Sequence, residues 1–174
     1  ILRVKFKLGL MGETSVSRGN SAAVGAQAHL NLAREAVAKS LVLLKNNGSA
    51  LPIRPGAKVL IAGPGADNMA MQAGGWTISW QGSDTKASDF PNGQTIGRAI
   101  ASDVKKAGGK ATLSPEGRLK GKPDVAIVVL GEKPSAEFVG DIPNLAFHTH
   151  AADLRTIETL KAQGVPVAVP FLPG

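Results

Sequence analysis

The run PDVAIVVLGE, residues 123–132, carries the strongest structural signal in the sequence. From Val125 to Leu130 every residue is apolar, and four of the six are β-branched. A strand with one wet face alternates apolar and polar residues. An unbroken run is what a strand covered on both faces shows, as in a parallel sheet. Three similar segments extend the pattern. KVLIAGPGAD (58–67) reads as a buried strand running into a glycine turn, KATLSP (110–115) as a short strand, and VPVAVPFL (165–172) as a further strand against which Pro166 and Pro170 count.

Helical patterns lie between them. In AHLNLAREAVAKSLVLLKNNG (28–48), Leu30, Ala33, Val37, Leu41 and Leu44 recur at helical spacing, and Asn-Asn-Gly supplies a stop. TIGRAIASDVKKAGG (95–109) sets Ile96, Ile100 and Val104 on one face, and AADLRTIETLKAQG (151–164) is a third helix. Near the start, RVKFKLGL (3–10) reads as a short strand or an arm, and GETSVSRGNSAAVGAQ (12–27) as a loop. Strands alternating with helices predict an α/β class with a mainly parallel sheet flanked by helices. Ligands of such sheets bind beyond the carboxyl ends of the strands. Residues 68–94 form a long irregular stretch rich in Gly, Ser and Asp, and two unusual loops follow strands at that edge: residues 63–67 with their extension to 82, and residues 131–141.

Composition narrows the chemistry. Cysteine is absent, which excludes a disulfide framework, a thiolate metal site and a thiol nucleophile, and fits a cytoplasmic or a bacterial periplasmic protein equally. The net charge is +7, but lysine and arginine are scattered with no interleaved aromatics, so the reading is solvated faces, with no nucleic acid as partner. No apolar stretch is long enough to span a bilayer, so no membrane partner is expected. His148 and His150 with Asp153 suggest a metal at first sight, but no further ligands cluster nearby, and a polar turn before a helix is preferred. His29, at a helix start, reads as a capping or surface residue. The chain starts at Ile1 and ends on an apolar run, which suggests a piece of something larger.

Three motifs carry candidate chemistry. GPGAD (63–67) follows a strand, yet Asn68 stands where a dinucleotide fingerprint needs glycine, and no Gly-Lys-Ser/Thr follows, so a tight turn is preferred. GGWTISWQG (74–82) holds the only two tryptophans, Trp76 and Trp80. Flanking glycines argue for an irregular loop, and exposed indoles there make sugar platforms; two core indoles under a loop is the other reading. GEKPSAEFVGD (131–141) holds Glu132, Glu137 and Asp141. A general acid needs a raised pKa, from burial or a like-charged neighbour. Glu137, between Ala136 and Phe138, has the most apolar flanks of the three. On pattern alone a solvated acidic loop leads.

Taken in order, RVKFKLGL, AREAVAKSLVLLKNNGSALPI, KVLIAGPGAD, GGWTISWQG, GEKPSAEFVGD and VPVAVPFLPG resemble glycoside hydrolase family three, which includes β-glucosidases and exo-acting β-glucan glucohydrolases. The resemblance implies that residues 1–26 are a barrel-exit segment and linker, and residues 27–174 part of an α/β sandwich domain. It implies a retaining hydrolase of terminal β-glucosidic bonds, with a β-glucoside or β-glucan oligosaccharide as substrate and no cofactor or metal. Glu137 matches the family's acid/base, Trp76 the first tryptophan of its glycine-flanked loop, and Trp80 a residue lining the aglycone subsite. Ser135 stands where the family usually has Tyr. The nucleophile belongs to a barrel domain that no segment here matches, so the isolated chain is expected to be inactive. The resemblance also suggests a periplasmic or secreted location. The competing expectation is a catalytically inactive carbohydrate-binding or structural remnant.

Overall fold

The computed structural model describes residues 1–12, 19–119, 121–147 and 151–172. The chain forms two compact units, Ile1–Lys45 and Asn46–Gly174.

The first unit holds α1 (Leu2–Lys7), a 3-10 turn at Ser21–Ala23 and α2 (Gln27–Ser40). Neither helix buries a residue. The strand or arm expected at RVKFKLGL is instead the short helix α1. Its alternating apolar pattern has no strand beside it among the described residues, so local bonds such as Lys5 N–H to the Ile1 carbonyl (3.1 Å) satisfy the backbone. The helix expected through Leu44 stops at Ser40, and Leu41 is already extended (φ −68°, ψ 131°). One cause is visible. Ser40 Oγ donates to the Val37 carbonyl (2.9 Å), drawing a carbonyl of the last turn toward a side chain.

The second unit is built on a four-stranded parallel sheet of β1 (Lys58–Ala62), β2 (Lys110–Leu113), β3 (Val125–Val128) and β5 (Val167–Ala168), in the order β2-β1-β3-β5. Successive strand residues point to opposite faces, and each face has its own core. Val59, Ile61, Val125 and Ile127 pack with Val104, Ile96 and Ile100 of α4 (Ile96–Lys106) on one side. Leu60, Ala62, Ala126 and Val128 pack with Ile157 and Leu160 of α5 (Ala151–Ala162) on the other. Both faces of β1 and β3 are therefore dry, which is why their sequences do not alternate. A helix of five residues, α3 (Met69–Ala73), and a 3-10 turn at Ala87–Asp89 punctuate the stretch 68–94 expected to be irregular. Asn68 caps α3 by accepting from Met71 N–H (3.0 Å).

Two expected strands each divide. After β3, Val129 sends its carbonyl to Gly65 N–H (3.0 Å) instead of along the ladder. The chain then continues as β4 (Leu130–Gly131), which pairs in parallel with β6 (Phe171–Leu172). VPVAVPFL divides into β5 and β6 around Pro170, which has no N–H to give. The Pro170 carbonyl still accepts from Leu130 N–H (3.0 Å), which is a ladder bond of the β4–β6 pair.

Candidate functional site

The site lies beyond the carboxyl ends of β1 and β4, where the loops after these strands meet. The first loop begins with GPGAD. Gly63 has φ +93°, and a side-chain carbon there would lie 2.3 Å from the Val129 carbonyl oxygen. The glycine is thus required by close packing of two backbones, as the tight-turn reading expects. Asp67 ends the turn. It accepts from Thr95 Oγ1 (2.7 Å) and from Arg98 Nε and Nη2 (2.8 Å each). The Arg98 hydrogen bond, helped to a lesser degree by that from Thr95 and by the Arg98 charge, holds its carboxyl below the usual aspartate range against the opposing effect of burial, which outweighs Thr95 alone. Asp67 therefore ties the turn to the start of α4.

Past α3 the chain enters the tryptophan loop. Trp76 N–H donates to the Trp80 carbonyl (2.8 Å), which closes a tight ring. Within it Trp76 and Ile78 adopt left-handed backbone (φ +57° and +64°), a conformation that costs energy in bulky residues and is concentrated at functional sites. Ser79 Oγ donates to Asp84, and this bond is the main reason the Asp84 carboxyl titrates low. Both indoles are exposed, Trp76 by 68% and Trp80 by 44%, so they are not core residues under a loop. Their rings lie 6.0 Å apart at 39°.

The acid loop closes over the same ground. Gly75 lies so near Ser135 that a side-chain carbon on it would sit 2.4 Å from the Ser135 carbonyl oxygen. Gly140 N–H donates to the Ala136 carbonyl (2.7 Å) around a Phe138 with φ +69°. The Phe138 ring meets Trp80 edge-on at 5.6 Å. Glu137 projects from the turn between Ala136 and Phe138, and both indoles reach it. Trp80 Nε1 donates to Glu137 Oε2 at 2.8 Å, and Trp76 Nε1 to the same oxygen at 3.1 Å. The three residues singled out in the sequence thus form one constellation.

Its electrostatics differ from the expectation of a desolvated acid. Phe138 is 75% exposed, so the apolar flanks do not bury the carboxyl. The Trp80 hydrogen bond first, then the Glu137 backbone N–H and, least, the Trp76 hydrogen bond hold the Glu137 pKa below the usual glutamate range against desolvation. Both side-chain donors to the carboxylate are neutral indoles. At neutral pH the group is a carboxylate with one oxygen doubly solvated by neutral donors and the other oxygen free of these indoles.

Glu132 extends the small sheet through its N–H to the Leu172 carbonyl (3.2 Å), and Asp141 N–H donates to the Phe138 carbonyl (3.3 Å). His148 and His150 lie outside the described residues. One residue had no signal in the sequence. Gln81, next to Trp80, donates from Nε2 to the Glu137 carbonyl (3.1 Å) and accepts at Oε1 from Ala136 N–H (2.8 Å).

Known proteins resemble this chain in sequence and fold. The profile of the glycosyl hydrolase family 3 C-terminal domain matches residues 41–172. The chain belongs to glycosyl hydrolase family 3. The family-3 chain is 31% identical to the lysosomal beta glucosidase of Dictyostelium discoideum over 191 residues, which cover 97% of the chain and 23% of that protein. It superposes on the exo-1,3/1,4-beta-glucanase of a Pseudoalteromonas species with a TM-score of 0.85 and 49% identity, over 98% of the chain and 22% of the glucanase. The beta-glucosidase from Listeria innocua, solved with glucose, shares the fold with a TM-score of 0.69 at 21% identity, over 98% of the chain and 23% of that structure. The family-3 chain therefore spans less than a quarter of the length of each of these relatives, and they are glycoside hydrolases.

Proposed function

We propose that this chain supplies the general acid/base and the aglycone-side sugar contacts of a retaining β-glucosidase-like hydrolase acting on terminal β-glucosidic bonds. Glu137 is the acid/base, and Trp76 and Trp80 are the sugar contacts. The observation that carries the reading is the convergence of two exposed indoles on one oxygen of Glu137. It leaves a carboxylate beside flat apolar faces, the surroundings that a pyranose and its leaving oxygen need. The nucleophile is a carboxylate on a barrel domain, to which residues 1–26 are the exit segment and linker, with 27–174 as part of the sandwich domain. The substrate is a β-glucoside or a β-glucan oligosaccharide.

In the first step the barrel carboxylate attacks the anomeric carbon, the glycosidic C–O bond breaks, and Glu137 gives its proton to the departing oxygen. In the second, ionised Glu137 takes a proton from water, whose oxygen displaces the enzyme carboxylate with overall retention. The lowered pKa of the isolated site suits the second step. The first step requires a protonated Glu137. A partner carboxylate at about 5–5.5 Å supplies the like charge that raises its pKa, and exclusion of water acts the same way. Barrel and acid are thus coupled through electrostatics as well as geometry.

The test is hydrolysis of aryl β-glucosides by a protein that joins this chain to its barrel, with Glu137→Gln as the comparison. Activity should collapse for poor leaving groups, which need the proton, and survive better for good ones. Full activity of the mutant on a poor leaving group would sink the assignment. The chain alone should not turn over, and turnover by it would reveal a nucleophile among its own residues.

A further inference from the structure

Glu137 is held at two ends by two consecutive residues. Trp80 donates its indole N–H to the carboxylate (2.8 Å), while Gln81 grips the backbone behind it. The Gln81 amide spans the Ala136–Glu137 dipeptide, accepting from the N–H at one end and donating to the carbonyl at the other. The partners settle which amide atom is which, because an N–H needs an acceptor and a carbonyl needs a donor. A single bond would leave the dipeptide free to rotate about it, whereas two bonds fix its orientation. The turn that follows needs that restraint, because Phe138 sits in the left-handed region at φ +69°.

We infer that Gln81 is a positioning residue for Glu137: its side-chain amide clamps the Ala136–Glu137 backbone so that the carboxylate stays on the two indoles. The functional meaning of this clamp rests on the reading of Glu137 as acid/base, but its physical basis does not. Other side chains serve worse. Methionine matches the length without hydrogen bonds, and asparagine keeps both groups on a stem one carbon too short.

The test uses the 174-residue chain and its two tryptophans, which are the only ones it has and both touch Glu137. Tryptophan fluorescence is followed through an acid titration. The wild-type chain should show a transition below the ordinary glutamate range, and Glu137→Gln should lack it. Gln81→Met, with unchanged far-ultraviolet circular dichroism, should move that transition upward as the carboxylate leaves its donors. Gln81→Asn should do the same, and decides the matter if the methionine variant does not fold. An unmoved midpoint in a folded Gln81 variant overturns the proposal, as does a wild-type transition that persists in Glu137→Gln. In the barrel-containing protein, Gln81→Met should lower kcat by up to roughly 10²-fold, most strongly for poor leaving groups. If Glu137→Gln proved fully active there, the acid/base reading would fail while the titration result still stood.

Discussion

Asp67 and Glu137 are both carboxylates in loops beyond strand ends, both accept from two or more side-chain donors, and both titrate below their ordinary range. They differ in what holds them. Asp67 is met by a guanidinium in a two-pronged grip, so its charge is cancelled where it stands. Glu137 is met by two indole N–H groups, which orient and solvate the carboxylate but leave its charge intact. A salt bridge fastens a loop; neutral donors keep an anion ready for chemistry. Sequence alone cannot separate the two, because each is an acid near glycine and proline.

The largest expected effect separates them by activity. In the barrel-containing protein, Glu137→Gln should lower turnover of a poor-leaving-group glucoside by about 10²–10⁴-fold, the usual contribution of a positioned acid/base. Asp67→Asn should leave the same assay within a few-fold of wild type. Equal losses would erase the distinction.

Stability should show the reverse ranking. Asp67→Asn should lower the thermal midpoint by roughly 2–4 °C, a modest effect because Arg98 is 63% exposed and its pairing is screened by solvent. Glu137→Gln should change it less. The same residue gives a pH dependence. The folded-state pKa of Asp67 lies below its unfolded value, so its contribution is complete above the unfolded pKa and disappears as pH falls through the folded one. Melting curves from neutral to strongly acidic pH should therefore converge for wild type and Asp67→Asn at the acid end.

A smaller effect dissects the indole pair. Trp80→Phe and Trp76→Phe should each raise the Glu137 pKa, with Trp80→Phe the stronger, since its bond is shorter and is the first cause of the shift. Carboxyl carbon NMR titration measures this directly. The smallest effect is ionic. Raising salt from 0.1 to about 1 M shortens the screening length from ~10 to ~3 Å and should narrow the stability gap between wild type and Asp67→Asn. The Glu137 titration should move less, because its donors are neutral.

The strands and their burial were legible because dry faces leave an unbroken apolar run. Ile96, Ile100 and Val104 were legible because helical spacing is a local property. The division of the long strand at Val129 was not, because its cause is Gly65, 64 positions earlier, taking the Val129 carbonyl. The end of α2 at Ser40 is not legible, because Leu41 and Leu44 continue the helical period past it. At the site, pattern singles out Glu137, Trp76 and Trp80, resemblance gives them roles, and the structure brings them into contact. The direction of the Glu137 pKa was out of reach, because its donors lie 57 and 61 positions away. Gln81 was silent for the same reason.

The close approach of Gly75 to Ser135 also bears on how such loops can be exchanged. A bulkier residue at position 75 would press on the Ser135 carbonyl and lever the two loops apart, whatever became of the tryptophans. Neither loop is therefore a portable cassette by itself. An engineer moving this tryptophan loop into another family-3 scaffold would have to transplant the acid loop with it, and the pair, rather than either sequence motif, is the smallest part that can be inherited or borrowed whole.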